Sequence, residues 1–396
     1  MTMKCQPVFI IHYHEIALKG RNRDFFERKL IKNIRRSLVI AGRFKVERDY
    51  GRILVIPGQE ADLNLAQEML AKVFGLAYFT PGYISHVDLD LGKKIIKPLG
   101  EEILPLILEN TFSSFKVDVK RSNKEFVLKS PEIERELGGY LKEHLTEDKK
   151  VKLKEPELTV YLEITHKYIL FYFDKIPGQG GLPAGTGGRA VCLLSSGFDS
   201  PVAAWKMAKR GVRVDFIHFH SYPYTNKASQ ANVKKLVKIL NQYQYEGRLF
   251  NSAFGKFQKK VVALAPGELR VVLYRRLMLR VAERLAKKLG AKALITGDSL
   301  GQVASQTLEN IQVISQAVNL PILRPLIGED KQEIINLADQ IGTHQISSQP
   351  YEDCCSMFVP QHPETKAKLE EVEAVEKTME VEKLVTEIFK GIEAVK

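Results

Sequence analysis

The feature that most limits this chain is the alternation of strand-like and helix-like stretches across residues 190–340. Short apolar runs, "AVCLL", "VRVDFIHF", "RLFN", "AKALIT" and "PILRPL", are separated by helical patterns at 201–210, 228–241, 270–289, near 304–310 and at 331–340. Strands that alternate with helices pair in parallel through crossovers, so this half is expected to be a doubly wound parallel α/β sheet. Ligands of such sheets sit beyond the carboxyl ends of the strands, at the strand-to-helix turns. The turn "SSGFDS" (195–200) is one of these. Ser195, Ser196 and Gly197 are small enough for backbone amides to approach an anion. The helix expected from about Ser200 and Pro201 aims its positive end at the same place. The turn matches neither the three-glycine dinucleotide pattern nor the Walker pattern. A plain turn, with Asp199 favoured by the helix dipole, is the competing reading.

Ahead of this region, "PGQGGLPAGTGGR" (177–189) is dense in glycine and proline and has no apolar period, which marks a linker. Residues 1–76 read as a small α+β unit: a strand at Val8–His12, a basic helix, a strand through "RFKVERDYGRILVI" and a helix through "LNLAQEMLAKVFG" closing at Gly75. Residues 77–176 read as a second unit. Its first helix, "KKIIKPLGEEILPLILEN", should kink or end at Pro98 and Pro105. Its second should be capped by Ser130, with Pro131 at the first helical position. Strands "SFKVDVKR", "LTVYLEI" and "YILFYFDKI" complete it, and 190–396 forms the sheet domain, with a Lys/Glu-rich helical tail.

The formal charge is +12 over 396 residues, which raises the question of a polyanionic partner. Residues 1–50 hold twelve Lys/Arg against five Asp/Glu, eight of the twelve between Lys19 and Arg36. Phe26, Leu30, Ile34 and Leu38 recur at helical spacing and turn Arg28, Lys29, Lys32, Arg35 and Arg36 outward. Alone, that face reads as solvated surface. No apolar stretch approaches a membrane span, and "MTMKCQPVFIIHYHE" lacks signal-peptide order, so a cytoplasmic protein without membrane attachment is expected. The four cysteines form neither a secreted disulfide framework nor a CxxC metal site. Cys5 and Cys192 read as buried, inert thiols, whereas Cys354 and Cys355 lie in the polar loop "QPYEDCCSMF".

"LLSSGFDSPVAAW" resembles the SGGxDS signature of the PP-loop ATP pyrophosphatases, with Ser196 where that family usually has its first glycine. If that position needed a positive φ, the serine would cost about 1 kcal/mol of strain. "EIALKGRNRDFFERKL" is similar to the opening of a ferredoxin-like domain, and "FKVDVKRSNKEF" with "SPEIERELGGYL" resembles the RNA-binding THUMP domain. With "HFHSYPYT", "YRRLMLRVAERLA", "ITGDSLGQVASQT" and "YEDCCSMF" in order, nearly the whole chain resembles the tRNA 4-thiouridine synthetases.

The resemblance implies the fold, the substrates and the site. N-terminal ferredoxin-like and THUMP domains would precede a PP-loop domain with ATP bound by Leu193, Leu194, Ser195, Ser196, Gly197, Ser200, His218, Phe219, Arg275, Gly297 and Gln306. Phe219 is suited to pack on the base, with a place in the core as the competing reading. Arg275 could instead pair with Glu283 or with another carboxylate. Asp199 would be catalytic and hold Mg²⁺, and Cys355, with Cys354 beside it, would carry a persulfide. tRNA would be gripped electrostatically by Lys19, Arg21, Arg23, Arg28, Lys120 and Arg121. Uridine O4, at position 8, would attack the α phosphate of ATP, and the persulfide would then deliver sulfur to C4. Too few residues follow "HPETK" for the rhodanese domain of many relatives, so a separate cysteine desulfurase is the expected persulfide donor. A homodimer and a thiamine sulfur-carrier protein are further partners compatible with the resemblance, as is a role in thiamine thiazole synthesis. The rival readings are a THUMP RNA-binding protein with an inactive nucleotide fold and a 2-thiouridine-forming PP-loop enzyme.

Overall fold

The computed structural model describes residues 5–350 and 362–395 and falls into two compact units, Met1–Gly181 and Leu182–Lys396. In the first unit, β1 (Cys5–His12), α1 (Arg23–Ser37), β2 (Phe44–Asp49), β3 (Arg52–Pro57), α2 (Leu63–Leu70) and β4 (Tyr78–Ser85) are followed by α3 (Ile96–Ile107), β5 (Ser114–Arg121), α4 (Ser130–His144), β6 (Lys150–Val151), β7 (Leu158–Ile164), β8 (Ile169–Tyr172) and β9 (Ile176–Pro177). All the strands join one sheet, in the order β2-β3-β1-β4-β8-β7-β5-β6, with β9 also on β4. The two sequence-predicted α+β units are thus continuous through the antiparallel β1–β4 pair. Leu30, Ile34 and Leu38 of the α1 region are buried in one core, and α3 and α4 pack over a second.

Several local expectations need correction. Pro98 sits in the first turn of α3, where an amide hydrogen would have no intrahelical acceptor, and Pro105 lies near its end, so the helix runs unbroken from Ile96 to Ile107. Ser130 is already helical, and the Glu132 carboxylate instead accepts from the Lys129 amide at 2.6 Å. Helix α2 ends at Leu70, short of Gly75. "YILFYFDKI" is divided between β8 and β9.

A polar network is buried where β1, β3, β7 and β8 meet. Glu163, 1% exposed, receives Arg52 at 2.7 Å and the Tyr172 hydroxyl at 2.8 Å, with His12 at 3.3 Å. Burial pushes the His12 imidazole down; Glu163 opposes this, Arg52, Lys120 and Lys175 reinforce it, and the result is about 4 against an ordinary 6.5. The unfolded chain therefore binds the extra proton between these values, and stability contributed above pH 6.5 is lost as pH falls toward 4. The shift corresponds to roughly 3 kcal/mol. Thermal unfolding at pH 7 and pH 5 should show a larger acid destabilisation of the first-unit transition in the wild type than in His12→Gln; equal losses would refute this source of pH dependence.

The second unit contains β10 (Arg189–Leu193), α5 (Asp199–Lys209), β11 (Arg213–His220), α6 (Ala228–Gln244), β12 (Leu249–Ala253), α7 (Gly255–Leu264), α8 (Arg270–Leu289), β13 (Ala293–Ile295), α9 (Leu308–Ser315), β14 (Ile322–Leu323), α10 (Lys331–Gln340), α11 (His344–Ser347), α12 (Leu369–Thr378), α13 (Val381–Lys390) and β15 (Ile392–Val395). Its sheet order is β14-β13-β10-β11-β12-β15. The first five strands pair in parallel, as expected of a doubly wound sheet. Three features depart from expectation: α7 and the short α11 were not foreseen, and the tail is two helices plus β15, which pairs antiparallel with β12 and covers that edge. The buried faces of α7, α8, α9, α12 and α13 share one core with β10 and β11.

Candidate active site

The order of the strands locates the site. The chain adds β11 and β12 on one side of β10, then returns to add β13 and β14 on the other. Strand β10 is therefore the topological switch point, where a crevice opens beyond the strand ends. The turn Leu194–Phe198 lies at that end, and α5 begins at Asp199, one residue before expected. The Ser200 hydroxyl accepts from the Ser195 amide at 2.9 Å and lies 3.1 Å from the Ser195 hydroxyl, while the Ser347 hydroxyl donates to the Gly197 carbonyl at 3.2 Å. The loop is thus shaped by its own serines. Ser196 is not in the left-handed region, so the anticipated strain is absent. Its hydroxyl is buried and has no partner among the described residues.

Asp199 is held from two sides. Lys331, the first residue of α10, reaches Oδ1 at 2.7 Å, and the Gln302 side-chain amide donates to Oδ2 at 3.1 Å. Neither partner was foreseen from the sequence. The available signal was position: both lie just beyond β13 or β14, at the same edge of the sheet as the serine turn.

Gly297 connects that neighbouring turn to the loop. A Cβ there would stand 2.7 Å from the Ser200 amide nitrogen and 2.8 Å from the Asp199 carbonyl carbon, both backbone atoms that cannot rotate away. The close approach anticipated for Gly297 is thus made to the start of α5. Gly297→Ala should displace the loop, weaken ATP binding about 10-fold or more and cost about 1–3 kcal/mol of stability. Isothermal titration with ATP checks this, and unaltered affinity would show that the approach is dispensable.

Arg275 pairs with Asp298 and donates to the Ser305 hydroxyl at 3.0 Å; Glu283, the alternative partner considered above, instead binds Lys287 and the amides of Asn319 and Leu320, each at 2.8 Å. Asp298 also receives Arg324 at 3.0 Å and Thr296 at 2.8 Å. Burial pushes the Asp298 carboxyl up, but Arg275, with Thr296 and Arg324, overrides it and holds it near 2. Asp298 and Arg324 are further residues that the sequence reading missed; a carboxylate directly after strand β13 was the signal for the first. Gln306 is buried, and its side-chain oxygen has no partner among the described residues.

On the β11 side, the Leu194 amide donates to the Ile217 carbonyl, and the Leu194 carbonyl lies 2.9 Å from His218 Nδ1. Leu193, the last residue of β10, is half-buried. Phe219 requires correction. Its ring is in the core, edge-on to Phe254 at 5.5 Å, so it presents no face to a base.

Of the cations assigned to RNA, Lys120, Arg21 and Arg28 are exposed, Arg28 beside Asp24 at 2.7 Å. Lys19 lies 3.6 Å from Glu15. Arg23 is engaged by Glu27 at 2.7 Å and by the Tyr13 hydroxyl at 2.8 Å. Arg121 is committed internally, donating to the carbonyls of Phe126 and Leu128 at 2.8 and 2.6 Å. Arg121 thereby holds the loop after β5. Burial, with Glu102 adding to it, pushes the Cys5 thiol up to about 11, and burial raises that of Cys192 further, so both are inert as read. Cys354 and Cys355 lie outside the described residues. Among the described residues no helix is long and apolar enough to cross a membrane.

Comparison with known proteins supplies the family. Residues 185–381 match the thiamine biosynthesis protein (ThiI) family, 8–80 the ThiI ferredoxin-like domain and 96–174 the THUMP domain. A probable tRNA sulfurtransferase of Caldanaerobacter subterraneus subsp. tengcongensis is 45% identical over 96% of this chain and 97% of its own. One of Coxiella burnetii is 40% identical over 99% of each. A crystal structure of a 4-thiouridine synthetase–RNA complex with bound ATP superposes with a TM-score of 0.88 at 34% identity, covering 99% of this chain and 100% of that one. With identity of this level along nearly its full length, and a ferredoxin-like and a THUMP segment ahead of the switch-point loop, the chain belongs to the ThiI family.

Proposed function

We propose that this protein is an ATP-dependent tRNA sulfurtransferase that converts a uridine of tRNA, at position 8, to 4-thiouridine. The observation that carries the reading is the switch-point loop with Asp199 clamped by Lys331 and Gln302, in a chain 34% identical to a 4-thiouridine synthetase solved with RNA and ATP.

The loop backbone at Ser196 and Gly197 and the N-terminus of α5 bind the phosphates of ATP, with Ser195 and Ser200 shaping the turn. Leu194 and His218, fixed to each other by a hydrogen bond, border the adenine side. Uridine O4 attacks the α phosphorus, pyrophosphate departs and the N3 proton is lost to solvent. The product is an AMP ester at C4, whose leaving group is far better than the original oxygen. Lys331 offsets charge developing on the departing pyrophosphate. Arg275, positioned by an Asp298 that stays ionised, offers the rest of its guanidinium to phosphate. One carboxylate suffices for a magnesium ion that keeps waters and takes phosphate oxygens, so Asp199 is suited to hold it. That ion would supply further neutralisation of phosphate charge. A terminal persulfide sulfur on Cys355, or on Cys354, then attacks C4 and AMP leaves. Cleavage of the sulfur–sulfur bond by a second thiol completes transfer; adjacent cysteines would close a strained ring, which favours a thiol from elsewhere. A cysteine desulfurase supplies the persulfide. Lys19, Arg21, Arg28 and Lys120 hold the tRNA, with a strong dependence on salt.

Mass spectrometry of unmodified tRNA after incubation with ATP, Mg²⁺, cysteine and a cysteine desulfurase tests the reading. The wild type should add one sulfur at uridine. Cys355→Ser should abolish this while pyrophosphate release persists, and Cys354→Ser should retain it. Sulfur at C2 instead of C4 would favour a 2-thiouridine-forming enzyme, and no pyrophosphate at all would leave an RNA-binding protein with an inactive nucleotide fold.

A further inference from the structure

Next to Asp199, the turns that follow β13 and β14 enclose a depression of about 510 Å³, lined by residues 299–302 and 327–331. Its walls are tied together. The Leu300 amide donates to the Ile327 carbonyl at 3.1 Å, the Ser299 hydroxyl donates to the Glu329 carbonyl at 2.8 Å, and Lys206 pairs with the Glu329 carboxylate. The lining is mostly carbon: Leu300 and Ile327 remain 46% and 39% exposed, an apolar surface that a rigid framework holds open to solvent. Among the described residues, nothing beyond the chain neighbours lies within 4 Å of the Cβ position of Gly301 or Gly328, so these residues leave the rim clear. At the end nearest the loop, Gln302 and Lys331 meet Asp199 at 3.1 and 2.7 Å, while Ser299, Glu329 and Asp330 complete the polar part of the lining.

Such a surface does not suit a phosphate chain, for which the serine loop and the start of α5 already provide amides. It does suit a flat heterocycle, which needs apolar faces and a hydrogen-bonding group at one edge. The proposed activity requires one: a base that has left its stack and been brought against ATP.

We propose that this depression receives the flipped uracil of tRNA, with Leu300 and Ile327 packing on the ring and the Gln302 side-chain amide meeting its imide edge. The inference rests on the function proposed above. With its nitrogen donating to Asp199, the Gln302 amide turns its oxygen to accept from uracil N3–H. Cytosine carries no hydrogen at N3, so the same contact selects uracil. The amide also ties the recognised edge directly to the carboxylate beside the phosphates.

The test uses the full chain with ATP, Mg²⁺ and unmodified tRNA transcript, and reads three quantities: ATP affinity by titration calorimetry, tRNA affinity by filter binding, and tRNA-dependent pyrophosphate release. In Leu300→Ala/Ile327→Ala, and separately in Gln302→Leu, release should fall about 10- to 100-fold, the scale of one lost base-packing contact, with both affinities within about twofold of wild type. Leu300→Met/Ile327→Val, which keeps the carbon surface, should recover most of the rate. Release at the wild-type rate in the double alanine variant would overturn the assignment. So would a parallel loss of ATP affinity, which would give the depression to the nucleotide. If the wild type itself releases no pyrophosphate with tRNA, the proposed function falls and the uracil site with it.

Discussion

Asp199→Ala is expected to reduce tRNA-dependent pyrophosphate release by about 10³-fold, the scale of removing one preorganised charge-stabilising group. The substitution removes the carboxylate assigned to Mg²⁺ and at the same time releases Lys331 and Gln302, which it holds at 2.7 and 3.1 Å. Asp199→Asn, which keeps the shape and an oxygen for Gln302 but removes the charge, should fall nearly as far. Stability should barely change. A carboxylate in the first turn of α5 contributes about 0.3–1 kcal/mol through the helix dipole, and its ion pair with a lysine that is 45% exposed adds about 1 kcal/mol at most. A quenched-flow assay of pyrophosphate on both variants, with melting curves alongside, separates these effects. Near wild-type release from Asp199→Ala would remove this residue from the chemistry.

The largest stability effect is expected at Glu376, remote in sequence from the loop. Its carboxylate accepts from Arg276 at 2.7 and 2.8 Å and from Arg280 at 2.6 and 2.8 Å, and Arg276, 1% exposed, also donates to the Val313 carbonyl. Burial pushes the Glu376 carboxyl up, but hydrogen bonds from the two guanidinium groups outweigh this and hold it below its ordinary value. Glu376→Ala would leave one fully buried guanidinium and one half-buried neighbour without a counter-charge, at a cost of about 3–5 kcal/mol. The second-unit transition in differential scanning calorimetry should drop by roughly 10 °C, with the first-unit transition unmoved. Glu376→Gln, which keeps the shape and one acceptor, should recover only part of the loss. A shift under about 2 °C for Glu376→Ala would mean that α12 and α8 are joined by apolar packing alone.

The residues that were readable in sequence and those that were not differ in a consistent way. The Leu30, Ile34 and Leu38 face, the strands β10 and β11, and the buried state of Cys5 and Cys192 follow from periodicity and composition within a few residues. Pro98 and Pro105 were misread because their effect depends on where a helix begins and ends, which the periodic pattern places only within a turn. Phe219 was misread because an aromatic residue at a strand end faces either the ligand or the core, and the unforeseen α7 contributes Phe257 to the core beside Phe254, against which Phe219 packs.

By itself the sequence determined the class of this protein. Alternating strands and helices, a small-residue turn after the first of them and a basic N-terminal helix are local patterns, and local patterns persist whatever the remainder of the chain does. Only the tertiary structure decided who stands beside Asp199. Gln302 and Lys331 are 103 and 132 residues away and arrive there because the sheet reverses its order at β10, placing β13 and β14 on the opposite side from β11 and β12. No periodicity encodes a contact of that separation, because it is produced by the crossover connections and by the close approach that Gly297 permits.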